Sequence, residues 1–246
     1  MKLIFLVPVF NESLNIPELA ETLTNSCREY DKHYLFVDDG STDNTIDSLK
    51  HHFPPEQLSI IQKRKNKGPG DSFNLGFNWI LDKGYSDTDL VITLEGDNTS
   101  DPAILPEMVS IAGLGFPMVL ASVYAQGGGL DKTNLIRRFV SFVANILMRM
   151  VFDIKVLTLS SFYRVYQIGL IRNIRESYGN IVEEPGFISM IEILVKAIRL
   201  NTRIIEVPMT LHSQKRKGAS KMKVLKTTLK YLLFLIRSKR ISPQNH

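Results

Sequence analysis

The sequence has few of the residues that mark extracellular, zinc-binding or membrane-spanning proteins. A single cysteine, Cys27, among 246 residues excludes an internal disulfide framework and is typical of a reducing cytosol. The five histidines show no spacing suited to zinc. Near the C-terminus the longest uncharged apolar run, residues 231–236, is far shorter than the roughly 20 residues of a spanning helix. We therefore expect a protein without a signal peptide that is cytoplasmic, or peripheral on the cytoplasmic face of a membrane.

Two phosphate-binding signatures are also missing. Residues 66–76, NKGPGDSFNLG, place glycines at a predicted helix start, where backbone N–H groups can face a phosphate. Their spacing matches neither the Rossmann fingerprint nor a P-loop, which disfavours dinucleotide binding and ATP hydrolysis. A nucleotidyltransferase ranks last, because no basic glycine-rich loop directly follows the first predicted strand to hold a triphosphate.

Acidic residues are absent from the C-terminal end. Ten lysines and arginines and no acid follow Glu206, whereas residues 1–206 carry a net charge of −5. Residues 224–240 have the apolar spacing of a basic amphipathic helix, which suits an anionic membrane surface or a phosphate. A solvated helix whose apolar face packs on the domain explains the pattern equally well. No motif interleaves aromatic residues with this charge, so nucleic acid is not expected as a partner.

What the chain does contain is a regular alternation of apolar runs and helical patterns, which predicts an α/β fold with a mainly parallel sheet covered by helices. The predicted strands are residues 3–9, 33–39, 58–62, 89–95, 118–123 and 202–209. The predicted helices are residues 15–30, 43–53, 71–83, 102–112, 134–152 and 187–200. A short region around residues 157–166 fits neither pattern. We predict a domain over residues 1–212, followed by a basic loop and amphipathic helix over residues 213–246 that joins it or contacts a membrane.

Two of the predicted strands end in pairs of carboxylates. Glu95 and Asp97 follow one apolar run, and Asp38 and Asp39 end another. In a parallel sheet, ligands bind beyond the carboxyl ends of the strands, so the two pairs can reach one crevice. Such carboxylates suit Mg²⁺ or Mn²⁺ bound to a diphosphate, although one pair alone is more typical of an ordinary polar turn.

The first predicted strand ends in PVFNE, with Pro8, Asn11 and Glu12 beside the same crevice. Asn11 is a residue type that commonly caps a helix. Beside DDGSTD, residues 38–43, the motif also suits a base or ribose pocket, because carboxylates accept hydrogen bonds from hydroxyl and ring N–H groups.

In their order, PVFNE, DDGSTD, NKGPG, EGD, ASVYAQGGG and EVP resemble the family 2 glycosyltransferases, in particular the branch of dolichol-phosphate mannose synthase and other polyprenol-phosphate sugar synthases. The resemblance runs from Leu3 to about Leu233. It implies a GT-A fold and a hexosyltransferase with a UDP- or GDP-sugar donor. It also implies Mg²⁺ or Mn²⁺ at the DxD position, inversion at the anomeric carbon and, as acceptor, a polyprenyl phosphate.

The resemblance also implies roles for individual residues. It places the metal at Glu95 and Asp97, and it matches Arg216 and Lys221 to a closing RxxGxSK loop that clamps the diphosphate. Glu192 corresponds to the acid in the helix before EVP. The implied nucleotide-sugar pocket consists of Pro8, Asn11, Glu12, Asp38, Asp39, Lys67, Gly68, Glu95, Gly96 and Asp97. The implied catalytic residues are Asp97, Arg137, Arg138, Arg164, Arg216 and Lys221.

Several positions depart from the family pattern. Glu95 replaces an Asp, Thr99 a Gln or Ser, Val123 an Arg, Thr158 an Asp, and Phe162 a Gly. Because several of these positions are on the acceptor and phosphate side, a catalytically degenerate nucleotide-sugar-binding subunit stays open as an alternative.

A second alternative is transfer to a glycan hydroxyl in cell-surface polysaccharide synthesis. A hydroxyl acceptor needs a carboxylate to take its proton, and Glu183 and Glu184 precede the predicted helix that carries Glu192. A charged helix start beside Pro185 is the simpler interpretation of this acidic pair.

Overall fold

The computed structural model describes residues 1–131, 155–218 and Phe234. The helix predicted over residues 134–152 lies outside these residues, and so does nearly all of the basic amphipathic helix. Arg137, Arg138 and Lys221 lie outside them too.

A single sheet of seven strands forms the centre of the described structure. Its order is β3-β2-β1-β4-β7-β5-β8. The strands of this sheet are β1 (Lys2–Val9), β2 (Asp31–Asp38), β3 (Leu58–Gln62), β4 (Leu90–Thr93), β5 (Met118–Ser122), β7 (Arg164–Gln167) and β8 (Ile204–Pro208). A separate parallel pair joins β6 (Gly129–Leu130) to β9 (Thr210–Leu211).

The sheet is mainly parallel, as predicted, but one strand is reversed. Strand β1 pairs in parallel with β2 and with β4, so the carboxyl ends of these three strands meet at one edge. Strand β7 is antiparallel to both β4 and β5. The sequence analysis missed β7, because four residues that include the buried Arg164 show no recognisable apolar alternation.

Helices cover both faces of the sheet, and the pleat of β1 divides the core between them. Leu3, Phe5 and Val7 point to one face, whereas Ile4 and Leu6 point to the other. Helices α1 (Ile16–Asn25), α2 (Thr45–His52) and α4 (Leu105–Gly113) pack on the first face. Helices α3 (Pro69–Asp82), α5 (Ile168–Tyr178) and α6 (Ser189–Arg199) pack on the second. Helix α5 was not predicted.

Helix α1 ends five residues earlier than predicted, at Asn25. The buried ammonium of Lys32 donates to the carbonyls of Leu23, Thr24 and Ser26, which satisfies the end of the helix. Cys27 then takes a positive φ of 49°, so its predicted place within the helix was wrong. Its thiol is buried, and this burial raises the pKa of the thiol.

Candidate active site

The ends of β1 and β2 are tied together by hydrogen bonds between PVFNE and DGSTD. Asn11 adopts a φ of 51°. Its N–H donates to the Ser41 hydroxyl at 2.9 Å, and its Oδ1 accepts the Thr42 N–H at 2.8 Å. The N–H of Glu12 donates to the Thr45 hydroxyl at 2.9 Å. The structure therefore brings these two predicted site motifs together at one edge of the sheet.

Asp38 and Asp39 both shape this edge from buried positions. Asp38 accepts the Ser41 N–H through both carboxylate oxygens at 3.2 Å. Asp39 accepts the N–H groups of Lys67 and Gly68, each at 2.8 Å, and pairs with the ammonium of Lys63. Asp39 therefore positions the glycine-rich turn, and direct contact of either aspartate with a nucleotide stays a prediction.

The backbone N–H groups of that turn are bonded to protein acceptors, contrary to the expectation that they face a phosphate. Besides the two N–H groups held by Asp39, Gly70 donates to the Pro185 carbonyl at 2.8 Å. Gly68 has a φ of 99°, and a Cβ on Gly70 would lie only 1.9 Å from the Glu184 carbonyl oxygen. The start of α3 is therefore pressed against residues 184–186.

Asp97 lies at the end of β4 and is paired with Arg216. The Arg216 Nε and Nη2 atoms contact Asp97 Oδ2 at 2.6 and 2.5 Å. The other oxygen, Oδ1, accepts the hydroxyl of Thr99 at 2.7 Å. Asp97 is only 9% exposed, so the ion pair is partly shielded from solvent. The structure thus joins the predicted metal ligand to the predicted closing loop.

Glu95 has different partners, although it lies only two residues from Asp97. Its Oε2 accepts the Ser100 hydroxyl at 2.6 Å, and its Oε1 faces the Phe162 N–H at 3.4 Å. It also lines a small pocket between α1 and α4 that is partly open to solvent. Burial, and after it the Asp97 carboxylate, raises the pKa of Glu95. Shared metal coordination by Glu95 and Asp97 stays a prediction.

The donor set suits a divalent cation that arrives with a diphosphate. Mg²⁺ is usually held by one or two carboxylates together with substrate phosphates and water. Asp97 and the Thr99 hydroxyl supply hard oxygen atoms at the cleft. No cluster of three acidic, histidine or cysteine ligands occurs among the described residues. Asp97 therefore fits a site that the substrate completes.

Arg164 is fully buried, and its guanidinium points into the core. It donates to the carbonyls of Ser161 at 2.8 Å, Met190 at 2.7 Å and Leu159 at 2.6 Å. These bonds tie β7 to the first turn of α6 and to the segment that precedes β7. The structure gives Arg164 the role of a positioning residue, whereas its predicted direct catalytic role has no support from this placement.

Glu192 and Lys196 form a buried ion pair at 2.7 Å that holds residues 180–184. Glu192 accepts the N–H groups of Glu183 at 3.0 Å and Glu184 at 2.9 Å. Lys196 donates to backbone carbonyls in the same segment. The family resemblance indicated Glu192, but only the i, i+4 spacing of an acid and a lysine pointed to Lys196 as its partner. The pair fixes the backbone that carries the candidate base residues.

The unusual residues Thr158 and Phe162 are well accommodated. The Thr158 hydroxyl lies 2.7 Å from that of Ser122, and its N–H donates to Glu206 at 2.8 Å. The Phe162 ring stacks on Phe187 at 5.5 Å between centroids. These departures from the family pattern therefore have local partners and leave the fold intact.

Two residues important for the site carried no distinctive sequence signal. Lys63 pairs with Asp39 and with Asp71 at 2.7 Å, but it is one of four basic residues in KRKNK. Asn15 contacts three separate segments at the cleft, whereas the sequence indicated only that it begins a helix. In both cases at least one partner is distant in sequence, such as Asp39 for Lys63 and Lys217 for Asn15.

The helices of the described residues are each too short or too polar to cross a bilayer.

The model of glycosyl transferase family 2 matches residues 4–175. The chain therefore belongs to this family and is a glycosyltransferase. The solved structure of glucosyl-3-phosphoglycerate synthase from Mycobacterium tuberculosis with Mn²⁺, UDP and phosphoglyceric acid aligns with a TM-score of 0.70. That alignment covers 100% of this chain and 80% of that one at 15% identity. It confirms the predicted GT-A fold.

Two curated relatives resemble the chain over most of its length. The polyprenol monophosphomannose synthase of Mycolicibacterium smegmatis is 26% identical over 220 residues, which are 88% of this chain and 79% of the relative. The undecaprenyl-phosphate mannosyltransferase of Micrococcus luteus is 25% identical over 223 residues, 90% of this chain and 88% of the relative. The predicted branch of the family is thereby confirmed.

Proposed function

We propose that the protein transfers a sugar, with inversion, from a nucleoside diphosphate sugar to a polyprenyl phosphate. The observation that carries this proposal is the Asp97–Arg216 pair, with Nε to Oδ2 at 2.6 Å, at the edge where β1, β2 and β4 end. The Asp97 carboxylate could bind a cation and the Arg216 guanidinium a phosphate, and the two lie together at the sheet edge where α/β proteins bind ligands. The names of both curated relatives support a polyprenyl phosphate as the acceptor.

The chemistry assigned to the chain is stabilisation of the leaving group. Asp97 would hold the divalent cation, Mg²⁺ or Mn²⁺, which when bound neutralises charge on the leaving nucleoside diphosphate. The Arg216 guanidinium offers several N–H donors to phosphate oxygens from the opposite side. Lys221, Arg137 and Arg138 remain proposed contributors of further positive charge.

The donor pocket would be built on PVFNE and DDGSTD, with either UDP or GDP as the nucleotide. Glu12 and Asp38 supply carboxylates at the strand ends, and Asn11 is held there at positive φ. Carboxylate oxygens suit ribose hydroxyls and base N–H groups. The hydrogen bonds between the two motifs favour a pocket that is formed before the donor binds.

A phosphate acceptor relieves the protein of general base catalysis, because its attacking oxygen is already anionic. The contacts of Glu183 and Glu184 agree with a mechanism that needs no general base. Their N–H groups donate to Glu192, which fixes their backbone rather than preparing either carboxylate to act as a base. A polyprenyl acceptor would bring the protein to a membrane surface. The ten C-terminal positive charges support peripheral contact with anionic lipid there.

Transfer assays can separate the acceptor classes. Labelled UDP- and GDP-sugars with Mn²⁺ are offered with either a short-chain polyprenyl phosphate or a glycan bearing free hydroxyl groups. We expect labelled lipid phosphate, and near wild-type rates for Glu183→Gln and Glu184→Gln, because neither carboxylate needs to take a proton. Product on the glycan alone, lost in either folded variant, would contradict the proposal. Nucleotide binding without transfer to either acceptor would instead support a binding subunit.

A further inference from the structure

The segment of residues 216–218, here called the Arg216 loop, is attached to the cleft at two independent points. Ser213 and Gln214, which precede it, are bonded to Asp131 instead. One is the pair between Arg216 and Asp97. The other is Asn15, whose Oδ1 accepts the Lys217 N–H at 3.0 Å and whose Nδ2 donates to the Lys217 carbonyl at 3.1 Å. One side-chain amide thus satisfies both backbone groups of a single loop residue.

Asn15 is itself fixed by contacts with two other motifs. Its Nδ2 also donates to Glu12 Oε2 at 2.6 Å, and its carbonyl accepts the Asn98 side-chain amide at 2.9 Å. The backbone of Lys217 determines the orientation of the Asn15 amide, because an N–H requires the oxygen and a carbonyl requires the nitrogen. Asn15 is therefore the point at which PVFNE, EGDNTS and the Arg216 loop meet.

Helix capping does not explain this asparagine. Asn15 occupies the N-cap position of α1, where its side chain would ordinarily accept a backbone N–H of the first turn. It makes no such bond. It is also only 1% exposed, and a polar group at that depth must be satisfied by partners. The partners it has are Glu12 and Lys217.

The remaining contact of Lys217 is too exposed to dock the loop. Its ammonium lies 3.5 Å from Glu18, with side chains 52% and 36% exposed. Ion pairs of this kind contribute little, because water screens them and both side chains lose freedom. The two anchors of the Arg216 loop are therefore the Asn15 amide and the Asp97 carboxylate.

We propose that Asn15 is a positioning residue that keeps the Arg216 loop docked when Arg216 leaves Asp97. This inference rests on the proposed function in one respect, since a cation and a diphosphate would then compete for Asp97 and Arg216. The side-chain hydrogen bonds of Asn15 go to Glu12 and Lys217, and not to either of those charged side chains. The guanidinium released from Asp97 thus stays beside the cleft, where it can reach the leaving diphosphate.

Hydrogen exchange at the Lys217 amide tests the docking directly, in the full-length protein without ligand. We expect Asn15→Ala to accelerate exchange there by about fivefold or more, because the amide loses its acceptor. Asn25→Ala, in the last turn of the same helix, is the matched control and should match wild type. Unchanged exchange in Asn15→Ala would overturn the proposal.

A binding measurement then separates positioning from general loosening of the pocket. Affinities for a nucleoside and for its diphosphate are compared by calorimetry with Mn²⁺ present. We expect Asn15→Ala to weaken diphosphate binding more than nucleoside binding, since only the diphosphate reaches Arg216, whereas the lost bond to Glu12 affects both ligands. Equal weakening of both ligands would contradict the positioning role. If wild type binds no diphosphate, the proposed function fails, whereas the exchange experiment still decides whether Asn15 docks the loop.

Discussion

At the scale of residues, Glu95 and Asp97 show how strongly local surroundings separate two similar acids. Asp97 faces the positively charged Arg216, whereas Glu95 is hydrogen-bonded to the neutral Ser100 and Phe162. Burial without a nearby cation disfavours the ionised form of an acid. The raised pKa of Glu95 follows mainly from its burial and then from the nearby Asp97 charge.

The raised pKa makes a prediction about stability. The folded protein binds the Glu95 proton more tightly than the unfolded chain, so this group lowers stability as pH rises from its ordinary pKa of 4.5 through the raised value. Glu95→Gln cannot ionise and keeps an acceptor for Phe162. We therefore expect the free energy of unfolding of the variant, relative to wild type, to increase from pH 4 to pH 7 in urea titrations.

Ser110→Ala is a suitable control for that titration, because the exposed Ser110 hydroxyl bonds only the Pro106 carbonyl within α4. Its difference from wild type should be the same at both pH values. If the difference in free energy of unfolding between Glu95→Gln and wild type is also the same at pH 4 and pH 7, the raised pKa of Glu95 is contradicted.

At the scale of elements, the contact between the start of α3 and residues 184–186 determines the shape of the glycine-rich turn. Glycines at this place predicted a helix start, and α3 begins at Pro69, two residues before the predicted position. The contact itself was not predictable, because Gly70 meets Glu184 across a separation of more than a hundred residues. Local pattern indicates where a helix begins, but tertiary packing decides which glycine has no room for a side chain.

Two glycine-to-alanine substitutions test this contact. In Gly70→Ala the new Cβ would meet the Glu184 carbonyl at 1.9 Å, and we expect a loss of roughly 1–3 kcal/mol in the free energy of unfolding. In Gly113→Ala, at the end of α4, a Cβ meets nothing within 4 Å. That control should gain up to about 1 kcal/mol, since alanine reduces the freedom of the unfolded chain.

Urea unfolding of the two alanine variants measures both effects. Equal stability changes in Gly70→Ala and Gly113→Ala would show that α3 is free to move away from residues 184–186.

At the scale of the whole molecule, the sheet edge assembles the site from segments that are far apart in the chain. The sequence predicted the parallel strands and their acidic ends, because buried strands and strand-end carboxylates are local patterns. It did not predict the reversed β7, whose four residues include the buried Arg164. It also did not reveal that Glu95 turns to Phe162 while Asp97 meets Arg216, 119 residues away. The order of the motifs was enough to predict the family, whereas the partners of Glu95 and Asp97 could be seen only in the three-dimensional structure.

We assign Asp97 to the binding of the donor diphosphate and its cation. The most direct test is the initial rate at which the Asp97→Asn variant transfers sugar to a polyprenyl phosphate. Asp101→Asn is the matched control, because Asp101 lies in the same segment and accepts only the Ala103 N–H at 3.0 Å, which an asparagine can also accept. We expect Asp97→Asn to lose about a hundredfold or more in rate, since leaving-group stabilisation is lost, while Asp101→Asn stays near wild type. Near wild-type transfer by folded Asp97→Asn would contradict the assignment.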